Sequence, residues 1–172
     1  LVLCAVALHS TPFGRRIRAV VQHEHAADSL GIPSALLHCL IFVGSGAMDA
    51  GRELLELAEL IDAPVIAFRS GRGIVSNAHE LGLTMAAAYN LWPQTDLMIG
   101  IGTRLELPCW RWPYRPSGQK VIRIDIDPAE MTRLKPQIGI VADAAEGTRA
   151  LTQALATRPL LVRSRDHIER AQ

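Results

Sequence analysis

Cysteine is scarce in the 172 residues: Cys4, Cys39 and Cys109 lie far apart. No CxxC pair and no His/Cys ligand spacing occurs, so neither a zinc module nor a disulfide framework is indicated. Scarce cysteine fits a reducing, cytoplasmic setting. Lysine is scarcer still, since sixteen of the eighteen basic residues are arginine. The charges nearly cancel, 18 basic against 17 acidic, leaving +1. The arginines are scattered. No basic stripe points to nucleic acid, and no basic amphipathic helix points to a membrane surface. Long apolar runs are also absent. The stretch Leu1 to Leu8 is too short to span a bilayer. Arg15 and Arg16 follow it, the reverse of a secretion signal. There is no initial Met, so the chain is expected to be a fragment or a processed product. No GxSxG elbow and no Ser/His/Asp or Cys/His spacing suggests nucleophilic catalysis.

What is present is globular. Apolar residues make up 49% and charged residues 20%. A domain of this size buries roughly 70% of its unfolded surface and needs no staples. From about residue 40 the pattern is regular. Leu40 to Val43 is a continuous apolar run ending at Gly44-Ser45-Gly46, as in a strand buried on both faces. Asp49 to Asp62 reads as an amphipathic helix, with Leu54, Leu55, Ala58 and Ile61 on one face and Asp49 as N-cap. Further strands are expected at Pro64 to Phe68, Asp96 to Ile101, Val121 to Ile126 and Ile138 to Ala142. Helices are expected at Leu83 to Leu91 and Ala144 to Ala156. Leu107 to Pro116 holds three prolines and reads as irregular. Ile17 to Val21 reads as a weak strand and His23 to Leu30 as a short helix.

Strands alternating with helices imply right-handed crossovers. The expected fold is α/β, a Rossmann-like parallel sheet of about five or six strands with helices on both faces. In such sheets ligands sit beyond the carboxyl ends of the strands. That rule singles out Gly44 to Gly46, Arg69-Ser70, Gly102-Thr103-Arg104, Asp125 to Asp127 and Asp143.

Each constellation has a plainer reading beside the functional one. Gly44-x-Gly46-x-x-x-x-Gly51 departs from the GxGxxG fingerprint in its third glycine. Phosphate contact and a bare βα turn both account for it. Asp127-Pro128-Ala129-Glu130 reads as a capping box, and Asp143 to Glu146 repeats it. Asp125 suits a ribose hydroxyl or an ion pair with Arg123. Trp110, Trp112 and Tyr114 alternate with Arg111 and Arg115. Such a loop fits subunit-interface packing first and stacking on a base second. His23-Glu24-His25 lacks a third ligand, so surface or capping roles are favoured over a metal, and no metal site is assigned.

Five segments in order carry a resemblance: Leu40 to Gly46, Leu54 to Val65, Thr95 to Gly102, Val121 to Pro128 and Ile140 to Asp143. Together they resemble the central domain of thiamine-diphosphate-dependent enzymes of the acetolactate synthase, glyoxylate carboligase and benzoylformate decarboxylase group. The resemblance implies three domains. The first binds the cofactor's pyrimidine, and the third binds its diphosphate through Mg²⁺. The middle one performs no chemistry and holds FAD, ADP or nothing. By the same resemblance its pocket positions are Gly44, Ser45, Gly46, Phe68, Arg69, Gly102, Thr103, Arg104, Asp125, Ile126, Asp143 and Ala144.

Arg18 to Ala27 is similar to the first domain's segment around the glutamate that drives ylide formation, which would make Glu24 the catalytic residue. Only fifteen residues separate Glu24 from the strand at Leu40, and no GDG…N diphosphate motif occurs. A fragment, an internal deletion and a chance match all account for this. In flavin-binding members GxRxDDRxxG follows the third strand. Here Leu105-Glu-Leu-Pro108 replaces its acidic–basic part, which argues against FAD.

The expected organisation is an irregular segment at 1–35, a remnant of the pyrimidine-binding domain, then a central domain at 36–160 and a linker tail at 161–172. The expected function is that of a non-catalytic central domain of a decarboxylase or carboligase acting on 2-oxo acids. Its partners would be the other domains of one enzyme, a homo-oligomer when intact. The alternatives are a stand-alone nucleotide-binding enzyme, such as an NAD-dependent deacylase, and an interaction module built on the Trp110–Tyr114 loop. The low cysteine count argues against the deacylase.

Overall fold

Six short segments pair side by side in one parallel sheet. They are β1 (His38–Val43), β2 (Val65–Ala67), β3 (Gly82–Leu83), β4 (Thr95–Ile101), β5 (Lys120–Asp125) and β6 (Ile138–Val141). The computed structural model describes residues 38–156. The expected N-terminal strand and helix, Glu24, and the tail at 161–172 lie outside the described residues. The spatial order is β3-β2-β1-β4-β5-β6, every neighbour parallel. The chain thus winds outward in one direction from β1 and, starting again at β4, outward in the other.

Consecutive strand residues point to opposite faces. Leu40, Ile41, Phe42 and Val43 are all buried, as are Met98, Ile99 and Ile101 of β4, so both faces of the sheet centre are covered. This is why β1 and β4 read as unbroken apolar runs.

Four helices connect and cover the strands: α1 (Gly51–Ile61), α2 (Met85–Leu91), α3 (Ala129–Leu134) and α4 (Ala144–Ala156). α1 buries Leu54, Leu57 and Ala58 and packs along α4. Leu55 and Ile61, expected on the core face, are only half-buried. Asp49 is not the N-cap. The cap position is Ala50, without a side-chain bond. The helix instead stops on Asp62, whose left-handed backbone (φ 50°) turns its N–H onto the carbonyls of Ala58 and Glu59. α4 spans the expected residues.

Two expectations need correction. Gly82 and Leu83 belong to β3, and α2 begins only after Thr84, whose Oγ1 accepts from Ala87 N at 3.2 Å. Leu107 to Arg111 is not irregular but one wide helical turn, closed by Trp112 N–H donating to Leu107 C=O at 3.0 Å. Pro108 is tolerated there because the first turn of a helix leaves its N–H groups unused.

Candidate functional site

The sheet's winding reverses between β1 and β4. A crevice at such a reversal is where open α/β sheets take ligands. Here it is a cleft of about 600 Å³. All twelve pocket positions expected from the sequence line it: Gly44, Ser45 and Gly46 after β1; Phe68 and Arg69 after β2; Gly102, Thr103 and Arg104 after β4; Asp125 and Ile126 at the end of β5; Asp143 and Ala144 at the start of α4. Ile126, expected inside the strand, lies beyond it and is exposed.

The glycines let two loops meet. Gly46 N donates to Gly102 O at 3.1 Å, and Gly44 N to Ile101 O at 3.3 Å. A Cβ on Gly44 would stand 2.5 Å from Gly102 O. Gly102 has φ +55°, and a Cβ there would stand 2.4 Å from the carbonyl carbon of Gly46. Ala47 N is committed to Gly44 O. The N–H groups of Gly44, Gly46 and Ala47 therefore already serve the protein. The cationic side chains lining the cleft are those of Arg69, Arg104 and Arg111.

The acidic side is also partly committed. Asp143 Oδ1 accepts from Ala145 N and Glu146 N, capping α4 as expected. Asp127 Oδ1 accepts from Ala129 N at 2.9 Å. The capping box at Asp127 is only half formed, because Glu130 turns away from the helix end toward Arg123 and Arg133. Asp125 Oδ2 lies 3.4 Å from Arg123 Nη2, so the expected ion pair exists, while its Oδ1 accepts from Asp127 N. Burial works to raise the Glu130 carboxyl, but hydrogen bonds and charge from Arg133 and Arg123 outweigh it and hold the group below its ordinary value.

Sequence reasoning missed Glu130 as a cleft residue, along with Met85, Glu106, Leu107, Pro108 and Arg111. A signal existed for 106–111, since that segment directly continues the Gly102 loop. The aromatic loop divides. Trp112 turns inward and packs edge-on against Phe42, Tyr89 and Trp92, with ring centres 5.9, 5.4 and 4.8 Å apart. Trp110 and Tyr114 stay exposed, Trp110 beneath the Arg133 guanidinium at 4.9 Å. Among the described residues no group of three or more His, Cys, Asp or Glu side chains converges as metal ligands. No described helix is long and apolar enough to cross a membrane.

Residues 36–151 match the family model described as thiamine pyrophosphate enzyme, central domain. The chain belongs to that family. The chain is 33% identical over 125 residues to the glyoxylate carboligase of Escherichia coli O157:H7, covering 66% of this chain and 21% of that protein. It is 30% identical over 154 residues to the acetolactate synthase large subunit of Corynebacterium glutamicum, covering 80% and 22%. The fold is shared with a thiamine diphosphate-dependent 4-hydroxybenzoylformate decarboxylase of Rhodococcus jostii RHA1, with TM-score 0.56 at 22% identity, covering 74% of this chain and 25% of that one. The chain thus spans about a fifth of the length of the curated relatives it matches.

A second family model, described as a branched-chain amino acid transport system / permease component, matches residues 1–51. Glu24 falls inside this match and outside the first. The two matches overlap at 36–51. The described part of that overlap forms β1 and the turn leading into α1, so the central-domain sheet accounts for it.

Proposed function

We propose that this central domain serves a thiamine-diphosphate-dependent decarboxylase or carboligase of 2-oxo acids, and that it holds a nucleotide rather than reacting substrate. Other domains of the enzyme would carry thiamine diphosphate and Mg²⁺. The observation that carries the reading is the cleft at the sheet's reversal, in a chain whose family match covers residues 36–151.

The chemistry of the lining suits the ADP moiety, alone or as part of FAD. Arg69 and Arg104 flank the glycine loops and supply charge to a diphosphate. Asp125 and Asp143 can accept from ribose hydroxyls or an adenine amino group. Phe68 and Ile126 offer exposed apolar surface to a base. The domain's own residues bind and orient. The decarboxylation and carboligation chemistry comes from thiamine diphosphate when it is bound elsewhere in the enzyme.

Calorimetric titration of the 172-residue chain tests this. ADP should bind, and Arg104→Ala should weaken it at least tenfold. FAD binding tighter than ADP would assign the cleft to flavin. No binding of either would remove the nucleotide role and leave a spacing or docking domain. The exposed Trp110 and Tyr114 favour that second reading, an interaction module.

A further inference from the structure

We propose that Glu130 is a positioning residue, and that Arg123, Glu130 and Arg133 together set the cleft loop Gly102–Leu105 in its binding shape. The loop needs holding. Gly102 and Leu105 both have left-handed backbone, φ +55° and +53°. For leucine that conformation is costly and persists only where its surroundings impose it. Leu105 is buried and packs on Gly100, which anchors the far end of the loop.

The two residues between have no strand or helix to fix them. Their carbonyls are held by arginines instead. Arg123, fully buried on β5, donates from Nη2 to Thr103 O at 2.7 Å. Arg133, on α3, donates from Nη2 to Arg104 O at 2.6 Å. Both guanidiniums converge on Glu130, Arg133 Nε reaching Oε2 at 2.8 Å. Arg123 Nη1 also donates to the backbone carbonyl of Glu130 at 3.1 Å. One carboxylate thus orients two cations, and each cation fixes one peptide of the loop.

The same carboxylate faces Arg104 itself. Arg104 Nε stands 3.9 Å from Glu130 Oε1, and Arg104 Nη1 stands 3.9 Å from Glu106 Oε1. Both contacts are long and the Arg104 side chain is largely exposed, so it is aimed but not locked. It is free to exchange a distant carboxylate for a bound phosphate. The effect on ligand rests on the nucleotide reading above; the effect on the loop does not.

Two measurements on the full chain test this, with Glu130→Gln and, as the milder change, Arg133→Met. Hydrogen–deuterium exchange without ligand should rise at least fivefold in the 102–106 segment of each variant, while β1 and β4 exchange as in the unmodified chain. Unchanged exchange at 102–106 would overturn the proposal. An equal rise across the sheet would overturn it too, because the network would then be general support. For the ligand, ADP should bind Glu130→Gln at least tenfold more weakly, with adenosine within twofold of its normal affinity. Equal losses for both would mean that the network does not act through the phosphate-facing loop, and would overturn that part. If the unmodified chain binds neither ADP nor adenosine, the nucleotide reading fails and the exchange result alone decides the positioning of the loop.

Discussion

Glu53 shows how one side chain can make stability depend on pH. It sits in the first turn of α1 and is buried there because α4 supplies its partner. Arg149 Nη2 donates to Glu53 Oε1 at 2.7 Å, and Arg52 Nη2 adds a bond at 3.1 Å. The Arg149 bond, a backbone bond and Arg52 together hold its carboxyl at about 2, against the opposing effect of burial. The folded value lies below the unfolded one. The contribution is therefore present above about pH 4.5 and lost as pH falls toward 2. The melting temperature should drop through that window, and Glu53→Gln should flatten the drop there. Identical pH curves for the two chains would show that the α1–α4 bridge is not what acid removes. Gly102 gives a second residue-level expectation. Gly102→Ala forces a Cβ against Gly46 at positive φ, costing roughly 1–3 kcal/mol in backbone strain alone, measurable by urea denaturation. The positive φ was not legible in the sequence, although the Gly-Thr-Arg turn after an apolar strand was. Glu130 was legible only as a cap, because its place three residues after Asp127 satisfies that pattern. Nothing in the local sequence says that Arg123 of β5 lies beneath it.

Among the elements, legibility followed burial and length. β1 and β4 announce themselves through the buried apolar runs Leu40–Val43 and Leu97–Ile101, and β5 through Val121, Ile122 and Ile124, apolar and buried on either side of Arg123. β3 has two residues, too few for any period, and is defined only by pairing with β2. The turn at Leu107–Arg111 was hidden by its prolines, which forbid a helix interior but not a first turn. The aromatic segment reads as an interface or stacking loop, yet one of its three rings, Trp112, packs against the core and meets Trp92 there. Trp92 is fully buried, and its Nε1 donates to Tyr114 O at 2.6 Å while its ring meets Phe42 and Trp112 edge-on. This one side chain pins the loop after β4 to the end of α2. Trp92→Phe keeps an aromatic ring but orphans the Tyr114 carbonyl. The loss should be about 1–3 kcal/mol. In urea the midpoint should fall with an unchanged m-value, and Tyr114 should become more accessible to iodination. A normal midpoint would mean that the loop is held by Trp112 alone.

At the scale of the whole molecule, the cleft and the family assignment make separable claims. Every cleft-lining position lies within residues 42–144, inside the span of the central-domain match. The resemblance places thiamine diphosphate on the other domains of such enzymes. Ligands that bind the folded state alone raise its stability by mass action, about 2.7 kcal/mol at a hundred times Kd. For a domain of this size each kcal/mol moves the melting temperature by roughly 2–4 °C. Saturating ADP should therefore raise it by about 5–11 °C. Arg104→Ala should show only about half of that rise at the same concentration, because a tenfold weaker affinity leaves ligand at ten times Kd, worth about 1.4 kcal/mol. Thiamine diphosphate with Mg²⁺ should leave the midpoint where it was. The reverse pattern, a shift with thiamine diphosphate and none with ADP, would move the catalytic cofactor onto this chain and take the nucleotide from its cleft. A shift with neither would leave the Trp110–Tyr114 surface as the feature to test against a partner domain.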